Sequence, residues 1–169
     1  RCLVVGSFRP ERNHQLLIEL LKQWPEAPLQ IDLYGRGPLV AKLKTQAIGL
    51  VQLQFLGFEA NLAPVMASYD FLLAPSRQEG FGLAVGEAMA VGLPVLAADI
   101  SAFREVCGDA AIYFDPLKAD SLVERLKAVL TGEIDLALHA QKGQIEAERF
   151  RKEAYVNALD ALYLSVGRQ

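Results

Sequence analysis

The stretch Pro75-Ser76-Arg77-Gln78-Glu79-Gly80-Phe81-Gly82-Leu83-Ala84-Val85-Gly86-Glu87-Ala88-Met89-Ala90 lies between two short runs, Phe71–Ala74 and Val95–Ala98, that are apolar throughout. Strands with no polar alternation are buried on both faces, as in a parallel sheet covered by helices. The segment therefore reads as strand, turn, helix, strand. Gly80 and Gly82 allow a tight turn and leave no Cβ in a ligand's way. A helix then begins near Leu83, and Gly92-Leu93-Pro94 ends it and leads into the next strand. The free N–H groups and positive dipole end of such a helix form an anion site, and a diphosphate suits it.

The same alternation continues in both directions. Cys2–Val5 reads as the first strand, followed by a helix over 15–22 with Leu16, Leu17, Leu20 and Leu21 on one face. Ile31–Tyr34 is the second strand and ends in the turn Gly35-Arg36-Gly37-Pro38. A helix over 39–48, a third strand over 51–55 and a short helix over 62–68 precede the central stretch. Beyond it, 111–114 is the last strand. Ser121-Leu122-Val123-Glu124 reads as a capping box opening a helix with the buried stripe Leu122, Leu126, Val129 and Leu130, stopped by Gly132. Helical segments over 133–149 and 152–165 complete the chain. Strands separated by helices of these lengths imply a single α/β domain with a doubly wound, Rossmann-like parallel sheet. Ligands of such sheets bind beyond the C-terminal strand ends, here the loops after Val5, Tyr34, Phe55, Ala74 and Ala98.

A chain of 169 residues fits one domain, and a hydrophobic share of 52% is too high for disorder. The net charge of -3, with no basic run or stripe, gives no electrostatic case for nucleic acid. Cys2 and Cys107 make neither a disulfide framework nor a thiol metal site, and read as idle thiols in a reducing cytosol. No apolar run approaches the roughly 20 residues of a membrane span. The chain opens directly on a strand, which suggests that a preceding part has been removed.

Two carboxylates flank the proposed anion site. Glu79 precedes the glycines and Glu87 lies just over one turn into the helix. A carboxylate accepts hydrogen bonds from hydroxyls, and one can take both hydroxyls of a vicinal diol, which ribose and hexose both present. Glycines for a diphosphate beside two hydroxyl acceptors spell a nucleotide sugar. The same residues also arise without a ligand, because Glu is favoured near a helix N-terminus and glycine-rich turns are common in α/β proteins.

The spacing of Glu79 and Glu87, with seven residues between them, embedded in Pro-Ser-x-x-Glu-Gly-Phe-Gly-Leu and followed by Glu-Ala-Met-Ala-x-Gly-x-Pro-Val, resembles the signature of the family 4 (group 1) retaining glycosyltransferases. Gly35-Arg36-Gly37-Pro38, Phe55-Leu56-Gly57 and Phe103-Arg104-Glu105-Val106 extend the resemblance along nearly the whole chain. It implies the C-terminal, donor-binding half of a GT-B enzyme, with residues 1–169 as the nucleotide-sugar domain and an N-terminal acceptor domain absent from this chain. By the resemblance, Glu87 binds the ribose hydroxyls and Glu79 contacts the transferred sugar. The backbone amides of Phe81, Gly82 and Leu83 hold the sugar and distal phosphate, next to Gly80. Phe58 borders the base, by stacking or through its main chain, or is simply a core or surface Phe.

The family also clamps the diphosphate with an Arg and a Lys after the first strand, in the loop that Gly6 opens. Here Ser7 stands in the Arg position and Arg12 in the Lys position. Arg12 keeps the charge and is capable of bidentate phosphate binding; Arg9 is expected to compensate for Ser7 by turning inward. The implied reaction is hexosyl transfer from a nucleoside diphosphate sugar to an acceptor hydroxyl with retention, with Glu79, Arg9 and Arg12 as the catalytic set. The stretch Phe103-Arg104-Glu105-Val106-Cys107-Gly108-Asp109-Ala110-Ala111-Ile112-Tyr113-Phe114-Asp115-Pro116 is most similar to bacterial polysaccharide mannosyltransferases, favouring GDP-mannose. The isolated domain is expected to be inactive. No metal or other cofactor is expected: no Asp-x-Asp occurs, and His14 and His139 are far apart. His14 is read first as structural or solvated, with a phosphate contact as the alternative. The expected partners are the nucleotide sugar and a sugar or lipid-linked acceptor. The location is cytoplasmic, with attachment to the inner membrane face left to the missing half, to which a stripe of Tyr155, Leu159, Leu162 and Tyr163 would cross back. The alternatives are a non-catalytic nucleotide-binding or interaction module and another enzyme of the same architecture.

Overall fold

Six short strands run parallel in the order β3-β2-β1-β4-β5-β6: β1 (Cys2–Val5), β2 (Ile31–Tyr34), β3 (Leu53–Gly57), β4 (Phe71–Ala74), β5 (Val95–Ala98) and β6 (Ile112–Phe114). The computed structural model describes residues 1–154 and 156. The central strands β4 and β5 are buried at every position, as their unbroken apolar runs require. Helices α1 (Gln15–Gln23), α2 (Val40–Gln46), α3 (Ala63–Met66), α4 (Leu83–Ala90), α5 (Ser101–Cys107), α6 (Ala119–Leu130) and α7 (Leu136–Ala147) connect and flank the strands. α1 packs on α6, while α4 packs on α3, α5 and α7. These two groups of helices cover the two faces of a doubly wound sheet.

The chain order reverses between β1 and β4, the switch point where such sheets bind ligands. The register makes room there. β1 and β4 pair only at Cys2↔Phe71 and Leu3↔Leu72. Beyond those pairs, Val4 to Gly6 and Leu73 to Ser76 part around an open space.

Several boundaries differ from the sequence reading. β3 begins at Leu53 because the chain is still turning at Val51, which is 82% exposed. α2 is shorter than 39–48, the short α3 spans only Ala63–Met66, and α5 was not foreseen as a helix. The capping box is not formed. α6 starts two residues before Ser121 with no side-chain cap, and the Ser121 hydroxyl instead accepts from the Asp115 N–H at 3.0 Å. Leu122, Val123 and Leu126 are its buried face, while Leu130 is exposed. α7 is capped by Asp135, whose carboxylate accepts from the N–H groups of Ala137 and Leu138. The stripe Tyr155, Leu159, Leu162 and Tyr163 lies outside the described residues.

Candidate functional site

The space at the switch point is a cavity of about 270 Å3. Gly6 forms one wall, Leu72 to Ser76 another, and Phe81, Gly82, Leu83 and Ala84 the side where α4 begins. Among its described lining residues, Arg12 is the one arginine or lysine and Glu79 the one carboxylate. They are salt-bridged to each other, and the Glu79 side chain is only 10% exposed. Glu79 also accepts weakly from the Gly80 N–H, at 3.3 Å.

Gly82 caps α4 with φ 89°. A Cβ there would stand 2.8 Å from Cε1 of Phe103, so both the backbone and the packing demand glycine. This close approach fixes where α4 begins, and Gly82, Leu83, Ala84 and Val85 line the cavity, where the first N–H groups of a helix have no intrahelical partner. Gly80 differs: a Cβ on it would meet nothing within 4 Å. Its exposed position leaves the backbone open to a ligand.

Arg12 reaches the cavity because the loop after β1 is tightly held. Phe8 is buried, its N–H bonds the Arg36 carbonyl, and its own carbonyl accepts from the Leu39 N–H. Pro10–Arg12 then form a 3-10 turn, with the Arg12 N–H bonded to the Arg9 carbonyl. Arg9 sits in extended backbone directly after the inward Phe8. Neighbours in extended chain point opposite ways, and Arg9 is exposed and lines a different depression. The expectation that Arg9 turns inward to replace the missing arginine is therefore corrected: among the described residues Arg12 is the arginine that lines the cavity.

Ser7 and Gly6 border an adjoining hollow of about 250 Å3 with Tyr34, Gly35, Arg36, Phe58 and Leu62. The Arg36 guanidinium lies 4.5 Å from the centre of the exposed Phe58 ring. A flat cation stacked on an aromatic ring at the edge of an apolar hollow suits a planar heterocycle. Arg36 sits inside the Gly-x-Gly-Pro turn, and its place in this hollow has no signal in the sequence. Ser76, inside the Pro-Ser-x-x-Glu-Gly-Phe-Gly-Leu stretch, is buried in the cavity wall.

Glu87 is exposed on α4 and does not line the cavity of Glu79. It lies in a third hollow with Leu83, Gly86, Ala90 and Phe150. Phe81 and Leu83 line both spaces, so the two glutamates stand on either side of them. Phe81 is fixed there by an edge-on contact with Phe150, ring centres 5.1 Å apart.

His14 is buried at 5% exposure, packed on the Phe8 ring at 4.5 Å. Burial, and then the charge of Arg12, push its pKa down to about 4, so it is neutral at pH 7. Among the described residues no group of three or more His, Cys, Asp or Glu side chains is placed to hold a metal ion. None of their helices is long and apolar enough to cross a membrane.

A family model described as glycosyl transferases group 1 matches residues 1–132. A phosphatidyl-myo-inositol mannosyltransferase of Mycobacterium leprae is 31% identical over 97% of this chain and 46% of its own length. A GDP-mannose-dependent alpha-(1-6)-phosphatidylinositol dimannoside mannosyltransferase of Mycobacterium tuberculosis is 41% identical over 60% of this chain and 28% of its own. Among solved structures, Anabaena Alr3699/HepE in complex with UDP superposes with a TM-score of 0.83 at 25% identity, covering 98% of this chain and 48% of that one. The chain spans about half the length of the first curated relatives it matches.

Proposed function

From the premise that this chain belongs to the group 1 glycosyltransferases, we propose that it binds the nucleoside diphosphate sugar for hexosyl transfer to an acceptor hydroxyl, with retention at the anomeric carbon. The observation that carries this reading is the cavity at the β1/β4 switch point, where Arg12, Glu79 and the first turn of α4 meet. Departure of the nucleoside diphosphate develops negative charge. Arg12 and the amides of Gly82 and Leu83 are preorganised to stabilise it. Glu79 accepts from sugar hydroxyls and sets the position of the anomeric carbon; the transition state has oxocarbenium character. The hollow of Arg36 and Phe58 receives the base, and Glu87 takes the ribose diol. No metal enters the scheme.

The favoured donor is GDP-mannose, supported by the relatives that are mannosyltransferases, one of them GDP-mannose-dependent by name. The UDP complex of the Anabaena structure makes UDP-hexose the competing donor. The acceptor is taken by a second domain outside this chain, and the protein works in the cytoplasm. The position of Arg9 outside the cavity favours a second reading, a nucleotide-binding module with weakened or lost catalysis.

The test is turnover by a protein carrying both halves, supplied with GDP-mannose and a mannoside acceptor and followed by proton NMR. An α-linked product from the α-linked donor is expected. A β-linked product overturns retention, and nucleotide binding without turnover favours the second reading.

A further inference from the structure

The loop that brings Arg12 into the cavity has another side. There Arg9, Lys42 and Arg77 line a separate depression of about 360 Å3, with Asn13 and His14 in its wall. The three cations come from three distant places in the sequence: the residue before the 3-10 turn, helix α2 and the loop after β4. Among the described residues none of them is in an ion pair, and no carboxylate lines the depression. In a chain of net charge -3, three like charges left uncompensated around one hollow repel each other, and an anion relieves that repulsion.

The backbone points the same way. α1 begins at this depression with no acidic residue in its first turn and no side-chain cap. Its positive end therefore faces the hollow without a counter-charge.

An independent observation concerns the wall itself. Nδ1 of His14 is buried and has no hydrogen-bond partner among the described residues, and His14, only 5% exposed, stands in the wall between this depression and the Arg12–Glu79 cavity and lines both. Buried polar atoms without partners are rare in folded proteins, and each calls for a ligand, a water or a functional reason. A neutral imidazole donates from Nδ1–H to an anionic oxygen.

We propose that this depression is a second anion site, for a small molecule bearing a phosphate or diphosphate group, separate from the nucleotide-sugar cavity and sharing with it the loop from Phe8 to His14. Arg9, Lys42 and Arg77 supply the charge, the positive end of α1 adds to it although its Leu16 and Leu17 N–H groups are bonded to the Asn13 and His14 carbonyls, and His14 supplies a neutral donor. Because Arg9 and Arg12 bracket one 3-10 turn, an occupant of this site bears on the position of Arg12.

The probe is inorganic pyrophosphate, titrated by calorimetry into the chain already saturated with nucleoside diphosphate. A further equivalent of pyrophosphate is expected to bind. Lys42→Gln/Arg77→Gln should weaken it ten-fold or more, and its binding should shift the His14 ring signals in NMR. The site is overturned if no further equivalent binds, or if the double variant binds it unchanged, which would mean diffuse surface attraction only. A chain that takes no nucleotide is titrated with pyrophosphate directly. The double variant, and not Arg12→Gln, must then abolish binding, which keeps failure of the donor-site reading apart from failure of this one.

Discussion

Arg12 and Glu79 are salt-bridged within the β1/β4 cavity, so its arginine and its carboxylate neutralise each other before any donor arrives. A nucleotide sugar offers a partner to each: diphosphate for Arg12, hydroxyls for Glu79. A free nucleoside diphosphate offers only the first, and leaves a partly buried carboxylate behind. Glu79→Gln is therefore expected to tighten binding of the free nucleoside diphosphate roughly two- to ten-fold, about 0.4–1.4 kcal/mol. It should lower the preference for the nucleotide sugar over the free nucleotide. Affinities of both ligands for both proteins check this; equal weakening of the two would contradict it.

Gly82→Ala is expected to cost about 1–3 kcal/mol, because it combines a positive φ with a Cβ pressed on Phe103. Gly80→Ala, facing open space, should stay within about 0.5 kcal/mol while weakening the ligand. Denaturant midpoints of the two variants check the contrast.

The neutral, buried His14 makes stability depend on pH. Its folded pKa of about 4 lies below the unfolded value of roughly 6.5, so the unfolded chain takes up the proton first. Stability contributed by the neutral form is complete above pH ~6.5 and is lost as pH falls towards about 4, by up to ~3 kcal/mol. NMR titration of the His14 ring checks it: a midpoint at or above pH ~6.5 would contradict the packing described.

Asp32 sets a second, lower window. Burial pushes its carboxyl up, but hydrogen bonds from Arg1, Tyr69 and Gln30 outweigh that and hold it below the usual carboxylate range. A depressed carboxyl stabilises the fold above its unfolded pKa of roughly 3.9 and loses that stability as pH falls through the folded value. Tyr69→Phe removes the 2.8 Å bond from the Tyr69 hydroxyl. It should cost about 1–2 kcal/mol at pH 7 and move the acid transition to higher pH. Acid unfolding curves of the two proteins decide it.

The strands were legible because burial on both faces leaves only apolar residues in them, as in Phe71–Ala74 and Val95–Ala98. Local polar signals were less dependable. Ser121 and Glu124 fit a capping box, yet the turn after β6, closed by the Asp115 carboxylate on the Leu117 N–H, starts α6 earlier and turns Ser121 to another donor. α5 was hidden because its buried Phe103, Val106 and Cys107 are too few to show a helical period. In the site, the turn at Gly82 is readable from the residues themselves, whereas Arg12 is singled out only by the family resemblance. Arg9 was misplaced because sequence distance does not show which way a side chain leaves an extended segment. Arg36 and Ser76 carry no chemical signature of their own; only the folded neighbourhood gives them one.

The central claim is that the Arg12–Glu79 cavity and the Glu87 face of α4 serve one nucleotide-sugar donor. Calorimetric titration of the chain with GDP, UDP and ADP, beside Glu87→Ala, tests it most directly. The account predicts that GDP binds best of the three and that Glu87→Ala weakens it about ten-fold or more, as loss of a charged hydrogen-bond acceptor should. Binding of none of the three nucleotides, or binding that Glu87→Ala leaves unchanged, would contradict it.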